Sequence, residues 1–530
     1  MSIAFAKETV VIHAIKYGKN LSFSSAYKDE LNQQLPYYVY QKQFNGNEFD
    51  VQVSNLNYIN VDIEYSDSWN ISTELLISKQ LVKEKGKNKA NIIINPYRLN
   101  GQQLQLLQSF DINIIATDDN SNLRPSSTLQ SYVSNSVLAN GDWYKFGVSK
   151  AGIYKLDFNF FKQLGMNTGN IHPNNIRIFG QFGGMLPELA GADRVDDLKE
   201  YPIKVITQNP NQFQQGDFVL VYCKGPDLWN YDGTKQQFKF TKNLYSATQN
   251  LFITTNNGSG LRIGSISGNT LSENFATSTY DALDFIEQET ENLGMSGRTF
   301  VGDRFINQTS KVYQFNFPNI ISNQPLKIWT NVVAVANSFS TMNISMNSNS
   351  RNISMSPLQQ EYPAVFSYGM TTEQSFLFNN PSSNVQLNYQ YQSNDFSAKA
   401  YLDFINVQAK CNLVYDGTPL YFREQQTVGS GRITKFTLSN ANANVEVWDI
   451  TNPFDVKKIN YTLNGNKAIF TIETDILKEF VAYENTTSTP TAYGKIANQN
   501  LHALEQQDYI IVTRKGFISY AEELAQLHRT

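Results

Sequence analysis

Along most of the chain, apolar residues alternate with Asn, Gln, Ser and Thr at a period of two, the spacing of a strand with one face on a core and one in water. The clearest case is Ile59-x-Val61-x-Ile63-x-Tyr65, with Asn60, Asp62 and Glu64 on the opposite face. Asn91-Ile92-Ile93-Ile94-Asn95 predicts a shorter, more buried strand closed by Pro96. Further strands are expected at Trp143 to Val148, Ile153 to Leu156, Ile176 to Phe179 and Phe218 to Tyr222. The first two flank Ser149-Lys150-Ala151-Gly152 and read as a hairpin. Tyr313 to Phe317, Leu326 to Val335, Met342 to Met346, Val385 to Tyr391 and Ala400 to Val407, joined by polar loops, suggest a sandwich. A smaller β unit holds Ile433 to Leu438, Val445 to Trp448, Ile459 to Leu463 and Ala468 to Ile472. Two helices interrupt this pattern, one at Phe158, Phe161 and Leu164 ended by Gly165, the other around Tyr280 to Leu293.

The last stretch differs in kind. Asp508 opens the unbroken apolar run Tyr509-Ile510-Ile511-Val512, which predicts a strand buried on both faces, as in a helix-covered parallel sheet. Ser519-x-x-Glu522 has capping-box spacing, and Tyr520, Ala521, Leu524 and Leu527 follow at helical intervals. The expectation is one β-α unit of an α/β domain, which cannot bury its own faces. The predicted fold is therefore mainly β, several sandwich-like domains in tandem followed by the first β-α unit of an α/β domain.

Polar runs set the expected boundaries. Asp118 to Asn122 and Pro125 to Ser127 have linker composition, as does Thr486 to Thr491. The expected division is a signal-peptide remnant at 1–6, an N-terminal β domain at 7–128, a second β domain at 138–270, a sandwich at 271–415, a small β domain at 416–492 and the terminal unit at 493–530. Ala4-Phe5-Ala6 fits a signal cleavage site and favours export, with a native start as the alternative.

Composition changes this picture little. The 530 residues are ample for several cores; charged residues are 17%, aromatics 13%, and the formal charge is -4. That balance carries no basic footprint for nucleic acid, and no apolar stretch is long enough to cross a bilayer. Lys83-x-Lys85-x-Lys87-x-Lys89, broken by Glu84, reads as a solvated loop.

Candidate chemistry is sparse. Cys223 and Cys411 end or line apolar strands and read as buried thiols, with a disulfide between them left open. His13, His172, His502 and His528 form no ligand cluster. Asp193, Asp196 and Asp197 could offer oxygen ligands to calcium, but a solvated turn paired with Arg194 is the simpler reading. Gly180-x-x-Gly183-Gly184 lacks the spacing of a phosphate loop and reads as a tight turn. A carboxylate pair of the glycosidase kind leaves no trace in one sequence. No catalytic, cofactor-binding or metal-binding residue is assigned.

Several stretches taken together resemble a known family. They are Gly141-Asp142-Trp143-Tyr144-Lys145-Phe146, Ala151 to Leu156, Ile176 to Gly180, Arg194-Val195-Asp196-Asp197-Leu198-x-Glu200 and Gly225-Pro226-Asp227-x-Trp229. Ser296-Gly297-Arg298-x-Phe300-x-Gly302, Ala400 to Ile405, Val447 to Pro453, Asn500-Leu501-His502 and Asp508 to Thr513 follow in order. The resemblance, from about residue 140 onward, is to the PorU-like sortases of the type IX secretion system. It implies an exported, cell-surface protein of Bacteroidetes-type bacteria, with β domains leading into a gingipain-like (caspase-like) cysteine peptidase. In that family the peptidase removes C-terminal sorting domains from secreted cargo and attaches the cargo to lipopolysaccharide, beside an outer-membrane β-barrel partner. The family's catalytic His and Cys lie beyond the entry strand and match nothing here; His502 precedes that strand and His528 sits in the first helix. The chain itself is expected to be catalytically inactive. The other reading of the residues is a stand-alone surface adhesin or glycan-binding β protein.

Overall fold

The computed structural model describes the chain except residues 1–7, 13, 18–19, 24–25, 30–31, 44–48, 62–70, 74, 85–86, 102, 117–131, 189–191, 193, 257, 269, 295–298, 307–308, 359, 362–364, 367, 486, 506, 508 and 530. It is mainly β, and the described residues fall into two compact units, 1–131 and 132–530.

In the first unit, Gln103–Ala116 is the long central strand, paired antiparallel with Glu8–Val11, Phe49–Asn60 and Tyr97–Asn100. A second sheet holds Ala26–Asp29, Asn32–Gln43, Lys87–Asn95 and Leu76–Glu84. Ile92 and Ile94 of one sheet pack with Leu104, Leu106, Phe110 and Ile112 of the other, closing a buried core. The alternation that begins at Ile59 leaves the sheet after Asn60, and Ile63 and Tyr65 lie outside the described residues. Lys83, Lys87 and Lys89 lie on paired strands instead of a loop, with Glu84 opposite Lys87, while Lys85 lies outside the described residues.

The second unit contains three two-sheet bodies. One combines the sheet Lys199–Tyr201, Arg177–Gly180, Gln249–Thr254, Trp143–Val148 and Thr491–Ile496 with the sheet Gly152–Asp157, Phe218–Cys223 and Lys204–Ile206. Trp143–Val148 and Gly152–Asp157 therefore form no hairpin; Ser149 to Ala151 carry the chain from one sheet to the other. Alternation identifies a strand but not its partner. The helix Phe158–Gln163 lies as expected, capped by the Asp157 side chain, with Gly165 in the left-handed region.

The largest core belongs to the second body, where Thr279–Glu287, Lys399–Asn412, Leu326–Val335 and Met370–Phe378 face Ser310–Asn316, Asn384–Ser393, Ser340–Met346 and Asn349–Met355. The helix expected around Tyr280 to Leu293 is instead the strand Thr279–Glu287, paired along its whole length with Asn412 to Phe404. Its helix-like spacing yields to a full ladder of cross-strand bonds and pairs.

The third body packs Phe436, Phe470 and Phe480 between two further sheets. The run from Ile459 to Leu463 is not one strand, since Lys457–Asn460 and Thr462–Asn464 belong to opposite sheets. Three pairings tie distant parts of the chain: Gly264–Ser267 with Lys457–Asn460, Phe275–Thr277 with Ile433–Ser439, and Trp143–Val148 with Thr491–Ile496. Among the described residues no helix is long and apolar enough to cross a membrane.

The chain's last stretch departs from expectation. Tyr509, Ile510 and Val512 form no strand and are exposed, Val512 at 93%. A strand exists only through bonds to a neighbour, and among the described residues none is offered here. The helix Ile518–His528 does form, but its N-cap is Phe517 without a side-chain cap bond, so Ser519 lies inside the helix and the capping box is not made.

Candidate functional site

Three of the stretches singled out above meet at one place: the run before Trp143, the acidic run at Asp196 and Asp197, and the segment after Ile496. The strand Thr491–Ile496 lies along the edge of its sheet, paired with Trp143–Val148. Beneath it Trp143 is fully buried, edge-on to Phe179 at 5.2 Å, among Leu138, Leu198 and Ile496. Trp143 Nε1 donates to the Asn140 carbonyl at 2.9 Å, giving a large apolar ring its one polar contact. Lys495 and Asp142 close the sheet edge at 2.5 Å, and this bond holds the Asp142 carboxyl below its ordinary value.

Beyond Ile496 the chain is held by amides and carboxylates. Asn498 Nδ2 donates to the carbonyls of Leu138 and Gly141, both at 3.0 Å. Gln499 Nε2 donates to Ser136 Oγ at 3.1 Å, and the Ser136 N–H to Asn500 Oδ1 at 2.7 Å. Asn500 Nδ2 reaches Asn135 Oδ1 at 2.7 Å. From the other side Asp197 accepts from the N–H groups of Val137 at 2.5 Å and Leu198 at 2.8 Å, and from Ser136 Oγ at 3.3 Å. Asp196 Oδ2 accepts from the Val133 N–H at 2.6 Å, and its other oxygen lies 4.0 Å from His502 Nδ1. The arrangement is a clasp that fixes where the chain leaves the sandwich, built largely of side-chain bonds to backbone groups.

This corrects the reading of the acidic run as a solvated turn. Asp196 and Asp197 spend their oxygens on N–H and hydroxyl donors of the 133–137 segment, and Asp193 lies outside the described residues. Among the described residues no three His, Cys, Asp or Glu side chains converge as metal ligands. Gly183 and Gly184 form the expected tight turn, with φ of +112° and +69°, and a Cβ on Gly184 would meet Leu228 at 2.4 Å.

The remaining candidates are dispersed. His172 Nδ1 accepts from the Asn174 N–H at 3.2 Å in a local cap, His528 lies 4.3 Å from the Tyr509 ring, and His13 is outside the described residues. Cys223 and Cys411 are free and buried in different cores, so no disulfide joins them. Burial pushes the Cys223 thiol well up and the Cys411 thiol to about 12, the opposite of what a nucleophilic thiolate needs.

Two charged groupings had no sequence signal, because each joins residues far apart in the chain. Lys410 lies 2.6 Å from both Asp281 and Glu424, with Gln408 and the Gln425 N–H completing the shell of Asp281. Glu287, Glu289 and Asp403 line a recess of about 260 Å³ with Phe240, Phe300 and Phe404. Burial, then Asp403 and Glu289, raise the Glu287 carboxyl to about 8.

A search of solved structures finds the crystal structure of dimeric latent PorU from Porphyromonas gingivalis, 26% identical, with a TM-score of 0.63. The fold is PorU-like. The match covers 75% of this chain but 37% of that one, so this chain spans well under half the length of its neighbour. The Cry4Aa toxin of Bacillus thuringiensis (12% identity, 67% of this chain, 58% of that chain, TM-score 0.17) shares no meaningful fold. The same holds for the infectious bursal disease virus Gx strain structure (7%, 91%, 88% and 0.15). No family model and no curated protein matches the sequence.

Proposed function

We propose that the chain is the β scaffold of a PorU-like sortase of the type IX secretion system, exported and placed at the cell surface. The observation that carries the reading is the PorU-like fold, combined with a clasp that fixes the segment after Ile496 while leaving Leu504, Ile510, Val512, Tyr520 and Leu527 exposed. A helix and an apolar run held at a defined exit, with their apolar side chains outward, suit a larger α/β body packed against them. In this reading the body is a gingipain-like peptidase that removes sorting domains from cargo and passes the cargo to lipopolysaccharide, working with an outer-membrane β-barrel. The scaffold contributes position; its buried thiols contribute no nucleophile.

The test is genetic. Deleting the gene in the source organism should leave cargo with its sorting domain attached, seen as a mass increase by immunoblot of surface fractions. Complementation with Asp196→Ala/Asp197→Ala should restore protein but only part of the processing. The purified chain should cleave no peptide in a thiol-dependent manner. Normal processing in the deletion strain, or cleavage abolished by Cys223→Ala, would overturn the proposal.

A further inference from the structure

At one end of the large sandwich, three strand connections and one strand end present bare apolar side chains. Phe396 is 97% exposed and Phe339 69%. Tyr368 and Ile306 are exposed at the same end. Their placement follows from register: Ser340 pairs with Ser393, Ala334 with both Ala400 and Met370, and Ile306 with Lys399. Aromatic rings so placed gain nothing where they stand, since their apolar area meets only water.

The tip is not slack. Asp395 Oδ2 accepts from the Asn337 N–H at 3.0 Å, tying the Phe339 loop to the Phe396 loop. Its Oδ1 accepts from the Ser397 N–H at 2.8 Å and Ser397 Oγ at 2.6 Å, and its own N–H donates to Ser393 Oγ at 3.1 Å. The carboxylate beside Phe396 is thus spent within the loops. Lys399 stands exposed on the same rim, and among the described residues its ammonium makes no ion pair. The outward chemistry is therefore aromatic and cationic. The rings sit on separate loops and project, so they suit a surface that deforms around them more than a preformed protein groove.

We propose that the Phe339 and Phe396 tip is a lipid-docking site. Both rings enter the interfacial layer of a bilayer while Lys399 meets the phosphate headgroups. This stands apart from the sortase reading and does not depend on it.

Flotation of the full chain with vesicles of phosphatidylcholine, alone or mixed with phosphatidylglycerol, tests it. The wild type should float with both and more with the anionic mixture. Phe339→Ser/Phe396→Ser should reduce partitioning roughly tenfold or more, from the apolar area of two rings. Lys399→Glu should remove only the preference for anionic lipid. Because Cys223 and Cys411 are buried, Phe396→Cys accepts a polarity-sensitive dye selectively, and its emission should shift blue with vesicles. Circular dichroism checks that the variants fold. Absence of flotation, equal flotation of the double variant, or loss of self-association in the double variant with no change in flotation would each overturn the proposal; the last would make the tip a contact between copies.

Discussion

Glu287 shows how far a single residue can move from what its type suggests. Burial is the largest influence, the charges of Asp403 and Glu289 add to it, Lys242 works against them, and together they raise the carboxyl from 4.5 to about 8. The folded protein therefore keeps a proton that the unfolded chain releases across that window. Stability contributed by this group is fully present below pH 4.5 and lost as pH rises through about 8. Denaturant midpoints taken at pH 5 and pH 8.5 should fall between the two for the wild type and differ less in Glu287→Gln. An identical fall in the variant would remove Glu287 as the cause. None of this was legible in the sequence, where Glu287 is one charge in a polar run. Asp403 reaches it only because Glu287 pairs with Phe404 across two strands 117 positions apart in the chain.

At the level of elements, most strands were readable and their partners were not. Gly147 illustrates the difference. It sits mid-strand, where glycine has no local advantage, yet a Cβ there would lie 2.7 Å from the Tyr493 ring and 2.5 Å from Thr248. The Thr491–Ile496 edge strand lies against Trp143–Val148 because Gly147 leaves room for Tyr493. Gly147→Val should lift that edge strand. The expected result is faster amide exchange across 491–502, with the large sandwich at 310–393 unaffected; unchanged exchange would show that the ring turns aside at no cost. The same logic explains the misread elements. Thr279–Glu287 has the spacing of a helix but finds a partner strand, and Tyr509 to Val512 has the composition of a strand but finds no partner among the described residues.

Across the second unit, the three bodies are joined by mixed apolar and charged contacts. Trp448, Val481 and Tyr483 of the third body pack with Ile153, Leu220 and Tyr222 of the first. Glu446 sits at this joint, 2.7 Å from Lys204, 2.8 Å from Lys458, and accepting from Tyr483 Oη at 3.0 Å. Burial would raise its carboxyl, but the bonds and charges of the two lysines outweigh it and hold the group at about 2. The sign is opposite to that of Glu287: this stability is present above pH 4.5 and lost as pH falls towards 2. Small-angle scattering of the wild type should show the bodies separating in that window. Glu446→Gln should show less pH dependence there, and equal dependence in both would place the acid sensitivity elsewhere.

The sequence alone determined the β character, most strand positions, the short helix before Gly165, the tight turn at Gly183 and the burial of both cysteines. Those features follow from local periodicity, from backbone dihedrals and from the apolar character of each segment, all of which are properties of neighbouring residues. The tertiary structure decided which strands share a sheet, why Asp196 and Asp197 bind backbone instead of water, and where Phe396 is left bare. These depend on long-range partners, and a residue's own neighbours carry no record of a group three hundred positions away.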